Sequence, residues 1–281
     1  MASSVIIIGG GISGTATAWE LARNGISVTV LEKGDLASMA SGWTLAGVRQ
    51  SGRHPAELPL AESAVRRWEG LAEELGADVE YRQQGNLRLA LTAADVPIIK
   101  QVVADGTAVG IDMAWLDGAD AVHEIALALT SDLVGASFCA TDGHANPTKT
   151  VHAFAEAARR AGADIRTGVE VTGIEVAHGR VTGVRTTDGV LPTERVIVAA
   201  GVYTPWLLAP LGINVPMQIV LVSAIQTEVR EPILAQVLGI PTGGFAGRQQ
   251  ADGRFRLTGS SVPWQEARQT AENVMPPLSQ L

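Results

Sequence analysis

The residues best suited to chemistry stand at the start of the chain. Gly9-Gly10-Gly11-Ile12-Ser13-Gly14 matches G-x-G-x-x-G, between an aliphatic run, Ser4 to Ile8, and a stretch of helical character, Ile12 to Asn24. In that context the first glycine permits a tight turn, the second lets backbone approach a pyrophosphate, and the third lets helix pack closely on strand. Amides at the helix N-terminus are ready donors to phosphate. A second aliphatic run, Ser27 to Glu32, ends on a carboxylate that can accept hydrogen bonds from ribose hydroxyls. The spacing predicts a bound dinucleotide and by itself leaves FAD and NAD both open. Other chemistries find little support. The histidines, at 54, 123, 144, 152 and 178, lack metal-ligand spacing, no G-x-S-x-G nucleophile elbow is present, and Cys139 has no second cysteine to pair with. Trp43, Trp68, Trp115, Trp206 and Trp264 read as packing residues rather than an aromatic cage.

A β-α-β unit must position these parts, and the rest of the pattern extends it. Leucines, alanines and Trp68 recur among charges at helical spacing from Ala56 to Leu75. Short strands are expected at Val79 to Arg82 and Asn86 to Leu91, then helices at Ala93 to Val109 and Ala119 to Leu129, and a strand at Leu133 to Ala140. Asp142-Gly143 and Asn146-Pro147 are turn signals, after which Thr148 can cap a helix through Arg160 that ends at Gly162. The stretch VEVTGIEVAHGRVTGVRTTDG reads as an antiparallel meander with turns at His178-Gly179 and Asp188-Gly189. Val196 to Gly201, VIVAAG, reads as a strand buried on both faces, returning to a parallel sheet. Further strands are expected at IVLVSAI and RFRLTGS, and a polar helix at Gln265 to Val274.

At 281 residues and 46% hydrophobic, the chain can bury a core as one large domain or two interleaved ones. Thirty-one glycines against 4% aromatic residues suit an α/β nucleotide-binding fold, rich in tight turns. A net charge of −8 offers no general attraction to nucleic acid or anionic lipid, so neither is expected as a partner. The N-terminus MASSVIIIGGG lacks the basic flank and long apolar stretch of a secretory signal, and the expected location is cytoplasmic. Val196 to Thr227 contains no Asp, Glu, Lys or Arg and is long enough to span a membrane. Pro205, Pro210 and Pro216 would break a spanning helix repeatedly, so a strand, a short helix and another strand are expected, with no transmembrane segment.

Three segments carry a family resemblance: LEKGDLASMASGWTLAGVRQSG (Leu31 to Gly52), TDGHANPTKTVHAFAEAARRAGADI (Thr141 to Ile165) and VIVAAGVYTPWLLAPLGINVPMQ (Val196 to Gln218). In order and spacing they resemble the D-amino-acid oxidase-like FAD-dependent oxidoreductases. That group includes glycine and sarcosine oxidases and the flavin subunits of heteromeric amino-acid, opine and hydroxyproline dehydrogenases. The resemblance covers nearly the whole chain; GVRQSGRHPAELPLAESA and GRQQADGRFRLTGSS are most similar to the catalytic β-type subunits. It implies an α/β fold in which a Rossmann-like FAD-binding domain, residues 1–82 and 142–214, interleaves with an α+β substrate domain, residues 83–141 and 215–281, on a mixed, largely antiparallel sheet. It also implies that the C-terminal part of the family fold, a glycine-rich segment returning to the FAD domain, is missing here.

Carried over by resemblance, Gly9, Gly11 and Gly14 hold the pyrophosphate, Glu32 the adenosine ribose, and Lys33 lies near adenine. Ser38, Ser41 and Gly42 match positions along the phosphates and ribityl chain, and Val171 one whose backbone meets adenine. Ala200 and Gly201 belong to the second FAD-contacting strand and turn, and Gly47 and Val48 approach the isoalloxazine ring. The implied cofactor is non-covalent FAD. The implied reaction is hydride transfer from the carbon bearing an amine, followed by hydrolysis of the imine, with electrons passing to oxygen or a partner subunit. A small amino-acid or amine substrate with a carboxylate suits a bidentate arginine, and the candidates are Arg49, Arg53 and Arg248. Each could equally be a solvated surface arginine. His54 could tune substrate protonation or be structural. A non-catalytic FAD-binding assembly subunit of a heteromeric dehydrogenase is the alternative.

Overall fold

A computed structural model describes residues 4–241 and 244–263. The chain folds as two compact units, Met1–Thr44 with Glu73–Val79 and Pro147–Ile219, and Leu45–Ala72 with Glu80–Asn146 and Val220–Leu281. In the first, Val5–Ile8 is uniformly aliphatic and wholly buried, as a strand covered on both faces must be. It is an inner strand of a parallel sheet with the order Val196–Val198, Val5–Ile8, Val28–Leu31, Asp164–Arg166. Ile7 and Val30 are paired in register and fully buried, and each contributes about 1.5–3 kcal/mol by leaving water.

Parallel neighbours require a crossover, and the helix Ile12–Arg23 supplies the first one. It buries Ala18, Trp19 and Ala22, and its Trp19 ring lies 5.5 Å from Phe154 on the helix Pro147–Arg160. That second helix buries a row of alanines, small enough for close approach. It ends where Gly162 turns left-handed (φ +98°) and Ala163 N–H returns to Ala158 O at 2.9 Å. The meander Val171–Ala177, Arg180–Thr186, Gly189–Pro192 turns at His178 and Gly179, both at positive φ. Its Val171 and Val184 pack on Ile6, Ile8 and Leu31 of the parallel sheet.

The second unit is built on a seven-stranded mixed sheet: Val220–Val229, Arg254–Pro263, Ala246–Gln249, Val237–Gly239, Asn86–Ala90, Gly135–Cys139, Ala114–Asp117. All its pairs are antiparallel except Val237–Gly239 with Asn86–Ala90. Leu87, Leu89, Ala136 and Leu238 form its core with Val122. A two-stranded ribbon pairs Gly47–Val48 with Gly143–His144. Val48 packs with Val65 of the helix Leu58–Leu75 and with Ala145.

By their contacts, residues 45–72 belong to the second unit, where the ribbon and the buried face of Leu58–Leu75 share a core. Several expectations from sequence are revised. The helix expected from Ala119 to Leu129 is Gly118–His123; it stops where His123 Nε2 meets Leu129 O at 3.0 Å and the chain turns back. No regular strand forms at Val79 to Arg82, since Glu80 takes positive φ (+54°), and Arg82 bridges only to His144. Val196–Val198 is half-buried rather than covered on both faces, being the edge of its sheet among the described residues. The charge-free run resolves into a strand, the short helix Thr204–Leu208 and the strand Val220–Val229; no helix among the described residues is long and apolar enough to cross a membrane. The helix expected at Gln265 to Val274, and Trp264, lie outside the described residues.

Candidate functional site

The glycine turn closes between the strand Val5–Ile8 and the helix Ile12–Arg23. Gly9 sits at φ +114°, and a Cβ there would run into Ala199 O of the neighbouring strand end. A Cβ at Gly14 would collide with Gly9 O, and one at Gly11 would lie 2.9 Å from Ser41 Oγ. The first intrahelical hydrogen bond is Thr15 N–H to Gly11 O at 3.0 Å, so the amides of Gly11, Ser13 and Gly14 precede the helical ladder. Ser41 Oγ accepts from Ile12 N–H at 3.0 Å and ties the short helix Ala40–Trp43 to this turn. Glu32 is half-buried; Oε2 accepts from Gly10 N–H at 2.6 Å and Oε1 from Gly34 N–H at 2.8 Å. Each oxygen keeps a further lone pair for a hydroxyl donor. Beside it, Lys33 Nζ stands 3.5 Å from the centre of the Tyr203 ring.

In the second unit a cleft of about 320 Å3 opens along the helix Leu58–Leu75. Arg49, Arg53 and Glu57 line one part of it, and Leu60, Val65 and Trp68 supply apolar wall. Arg49 Nη1 donates to Ser51 O at 2.6 Å and to Gly52 O at 3.3 Å. Burial, with the nearby charges of Arg53 and Arg88, lowers its pKa to about 10, which leaves it a cation at neutral pH. Arg53 is exposed and 3.9 Å from the Glu57 carboxylate.

Arg248 is differently employed. It is 2% exposed, and Nε donates to Leu45 O at 2.5 Å, Nη2 to Ala145 O at 2.9 Å and Nη1 to His144 Nδ1 at 2.8 Å. Arginine has no acceptor, so His144 must accept at Nδ1 and carry any single proton at Nε2. Burial first, and then the Arg248 and Arg82 charges, press the His144 pKa down to about 3.

Residues 4–279 match the family described as FAD dependent oxidoreductase. The chain belongs to that family. It is similar to the beta subunit of sarcosine oxidase from Arthrobacter sp, 34% identical over 239 residues, which is 82% of this chain and 58% of the relative. The B subunit of opine oxidase from Agrobacterium tumefaciens (strain Ach5) is 30% identical over 273 residues, 91% of this chain and 69% of the relative. Among solved structures, L-proline dehydrogenase from P. horikoshii superposes with a TM-score of 0.89 at 25% identity, over 99% of this chain and 75% of its own. The chain thus spans between about half and three quarters of these relatives.

As a member of the FAD-dependent oxidoreductases, the chain carries a turn that fits the cofactor. The glycines leave a cradle that side chains would fill, and the amides of Gly11, Ser13 and Gly14, outside the helical ladder, suit donation to an anion. Gly9, Gly11, Gly14, Glu32, Ser41 and Ala200 gather around that turn: a Cβ at Gly9 would lie 3.2 Å from Ala200 Cα. Gly42 is buried in the adjoining short helix, Ser38 is exposed, Val171 is in the core, and Gly201 opens the 3-10 turn Gly201–Tyr203. Gly47, Val48, Arg49 and Arg53 share the cleft of the second unit. His54 and Arg248 do not line it; exposed His54 Nδ1 instead caps the turn Pro55–Glu57 by accepting from Ala56 N–H at 3.2 Å. Two contributors escaped sequence reading. Asp142, legible only as part of a turn, is a buried carboxylate bonded to Gln50 and Ser51, and Glu57 joins the cleft because it lies four residues after Arg53.

Proposed function

We propose that this chain supplies the FAD-dependent oxidation of a small amine or amino acid, of the sarcosine or glycine, imino-acid, D-amino-acid or opine type. The observation that carries the reading is the cleft in which Arg49 and Arg53 face apolar wall from the helix Leu58–Leu75. Non-covalently bound FAD would supply the hydride acceptor for the carbon bearing the amine. Gly9, Gly11 and Gly14 would admit its pyrophosphate, Glu32 would accept from its ribose, Lys33 and the Val171 backbone would meet the adenine, and Ser38, Ser41, Gly42, Ala200 and Gly201 would continue the contacts. Gly47 and Val48, which line the cleft, are the proposed isoalloxazine neighbours.

The chain's own part is to bind and orient. Arg49, cationic at neutral pH, takes the substrate carboxylate, and exposed Arg53 completes the clamp by exchanging Glu57 for it. Leu60, Val65 and Trp68 exclude water from the substrate's apolar part. Water then hydrolyses the imine product to a carbonyl compound and an amine. Electrons leave to oxygen or to a partner in a heteromeric enzyme, as suits a chain related to named subunits of two oxidases. A cytoplasmic setting fits the lone buried thiol of Cys139. The test is to load the purified chain with FAD, desalt it, and add sarcosine, proline, D-alanine or an opine without oxygen. Bleaching of the flavin band by one of them supports the reading; retained flavin that none of them bleaches favours a non-catalytic assembly role instead.

A further inference from the structure

Asp142 is completely buried, and no part of the proposed chemistry uses it. A carboxylate in such a place is costly unless its lone pairs are filled. One short piece of chain fills most of them and the Cys139 thiol adds a contact, while burial still raises the Asp142 pKa. Gln50 N–H donates at 2.8 Å, Ser51 N–H at 3.3 Å, and the Ser51 hydroxyl makes a third, short bond. Gln50 Nε2 also donates to Thr141 Oγ1 at 2.6 Å, a second tie between the same segments. On the far side of the turn the Arg88 guanidinium closes in, since a Cβ on Gly52 (φ +61°) would lie 2.8 Å from Arg88 Nη2. Asp142 thereby sits amid the charges of Arg49 and Arg88, both of which it stabilises as cations.

The consequence reaches the cleft. The carbonyls of Ser51 and Gly52 are the acceptors that hold Arg49 Nη1, and they follow directly on the two peptide N–H groups and the Ser51 hydroxyl that Asp142 anchors. We propose that Asp142 is a positioning residue: it fixes the Gln50–Gly52 turn and, through that turn's carbonyls, the placement of the Arg49 guanidinium in the cleft. The inference rests on the reading of that cleft as a carboxylate site only for its functional consequence; the mechanical link from Asp142 to Arg49 stands on the hydrogen bonds alone.

The test uses the full chain loaded with FAD, as wild type, Asp142→Asn, Ser51→Ala and the double variant. Phenylglyoxal labelling of Arg49, followed by peptide mass spectrometry, reads whether the guanidinium is held, and amide exchange reads the turn. Asp142→Asn should speed Arg49 labelling and exchange of residues 50–52 by about tenfold, the effect of losing one charged hydrogen bond, with exchange of the Asn86–Ala90 strand unchanged. Ser51→Ala should act in the same direction in wild type and add nothing once Asp142 is replaced. Equal Arg49 labelling in all four proteins, or a Ser51→Ala effect of the same size in both backgrounds, overturns the proposal. Should Asp142→Asn fail to fold, faster labelling in Ser51→Ala still supports the link and unchanged labelling refutes it. Perturbation of the flavin spectrum by acetate against acetamide separates the two readings. If wild type does not prefer acetate, the carboxylate reading of the cleft fails, while labelling still decides the role of Asp142.

Discussion

Arg248 Nη1 donates to His144 Nδ1 at 2.8 Å inside the second unit, a pairing that only a neutral imidazole can make. The folded pKa of His144, about 3, lies below its ordinary value of 6.5. As pH falls through that window the unfolded chain takes up a proton that the folded chain refuses, so stability is lost with acid and regained as pH rises. The expected contribution is on the order of a few kcal/mol. Urea unfolding at intervals from pH 6.5 down to 4 should show this slope in wild type. His144→Gln, whose amide oxygen can still accept from Arg248, should flatten it, and the comparison cancels buried Asp142 and the other carboxylates. An identical slope in both proteins would show that His144 is not the group responsible.

Glu32 joins two ends of the cofactor turn, with one oxygen on Gly10 N–H and the other on Gly34 N–H. Glu32→Gln replaces one acceptor by a donor and so orphans one amide while removing a ribose acceptor. Hydrogen bonds to a charged group are worth about 1.5–3 kcal/mol, which corresponds to FAD binding at least tenfold weaker. Titration of the apo chain with FAD, read by flavin fluorescence, measures the loss, and unchanged affinity would remove Glu32 from the site.

How much of this was legible in the sequence follows from how local each determinant is. The glycine turn and its flanking strands were readable because Val5 to Leu31 holds every part of that unit, with aliphatic runs, glycine spacing and helix in one short stretch. The meander was readable for the same reason, since His178-Gly179 marks its turn directly. Arg248 was not. Its partners Leu45, His144 and Ala145 come from distant segments, and an arginine enclosed by carbonyls looks the same in sequence as one facing solvent. Glu80 is a similar case, where a left-handed backbone interrupts what otherwise reads as a strand. The half-buried state of Val196–Val198 depends on which strands flank it, and an aliphatic run does not encode that.

Two glycines should separate cofactor binding from general tolerance. A Cβ at Gly14 meets Gly9 O with no side chain free to move aside, whereas a Cβ at Gly47 meets nothing within 4 Å. Gly14→Ala should therefore lose FAD on desalting and melt at lower temperature. Gly47→Ala should fold and retain FAD as wild type does, with any change confined to the flavin absorption envelope. Thermal unfolding with and without FAD checks both, and a Gly14→Ala chain that keeps its flavin would contradict the close-packing role of that glycine.

The arginines should divide between catalysis and stability according to burial. Arg53 is exposed and its ion pair with Glu57 is long, so Arg53→Gln should change stability by less than about 0.5 kcal/mol. If it clamps the substrate carboxylate, the same change should raise KM about tenfold or more while leaving kcat within a few-fold. Arg248→Met should do the reverse. It leaves Leu45 O, Ala145 O and His144 Nδ1 without their donor, at about 1–3 kcal/mol for each buried acceptor that water does not reach. Denaturant midpoints for the two variants, set beside KM for whichever substrate bleaches the flavin, test the division. A stable Arg248→Met chain with a raised KM would return Arg248 to the substrate clamp.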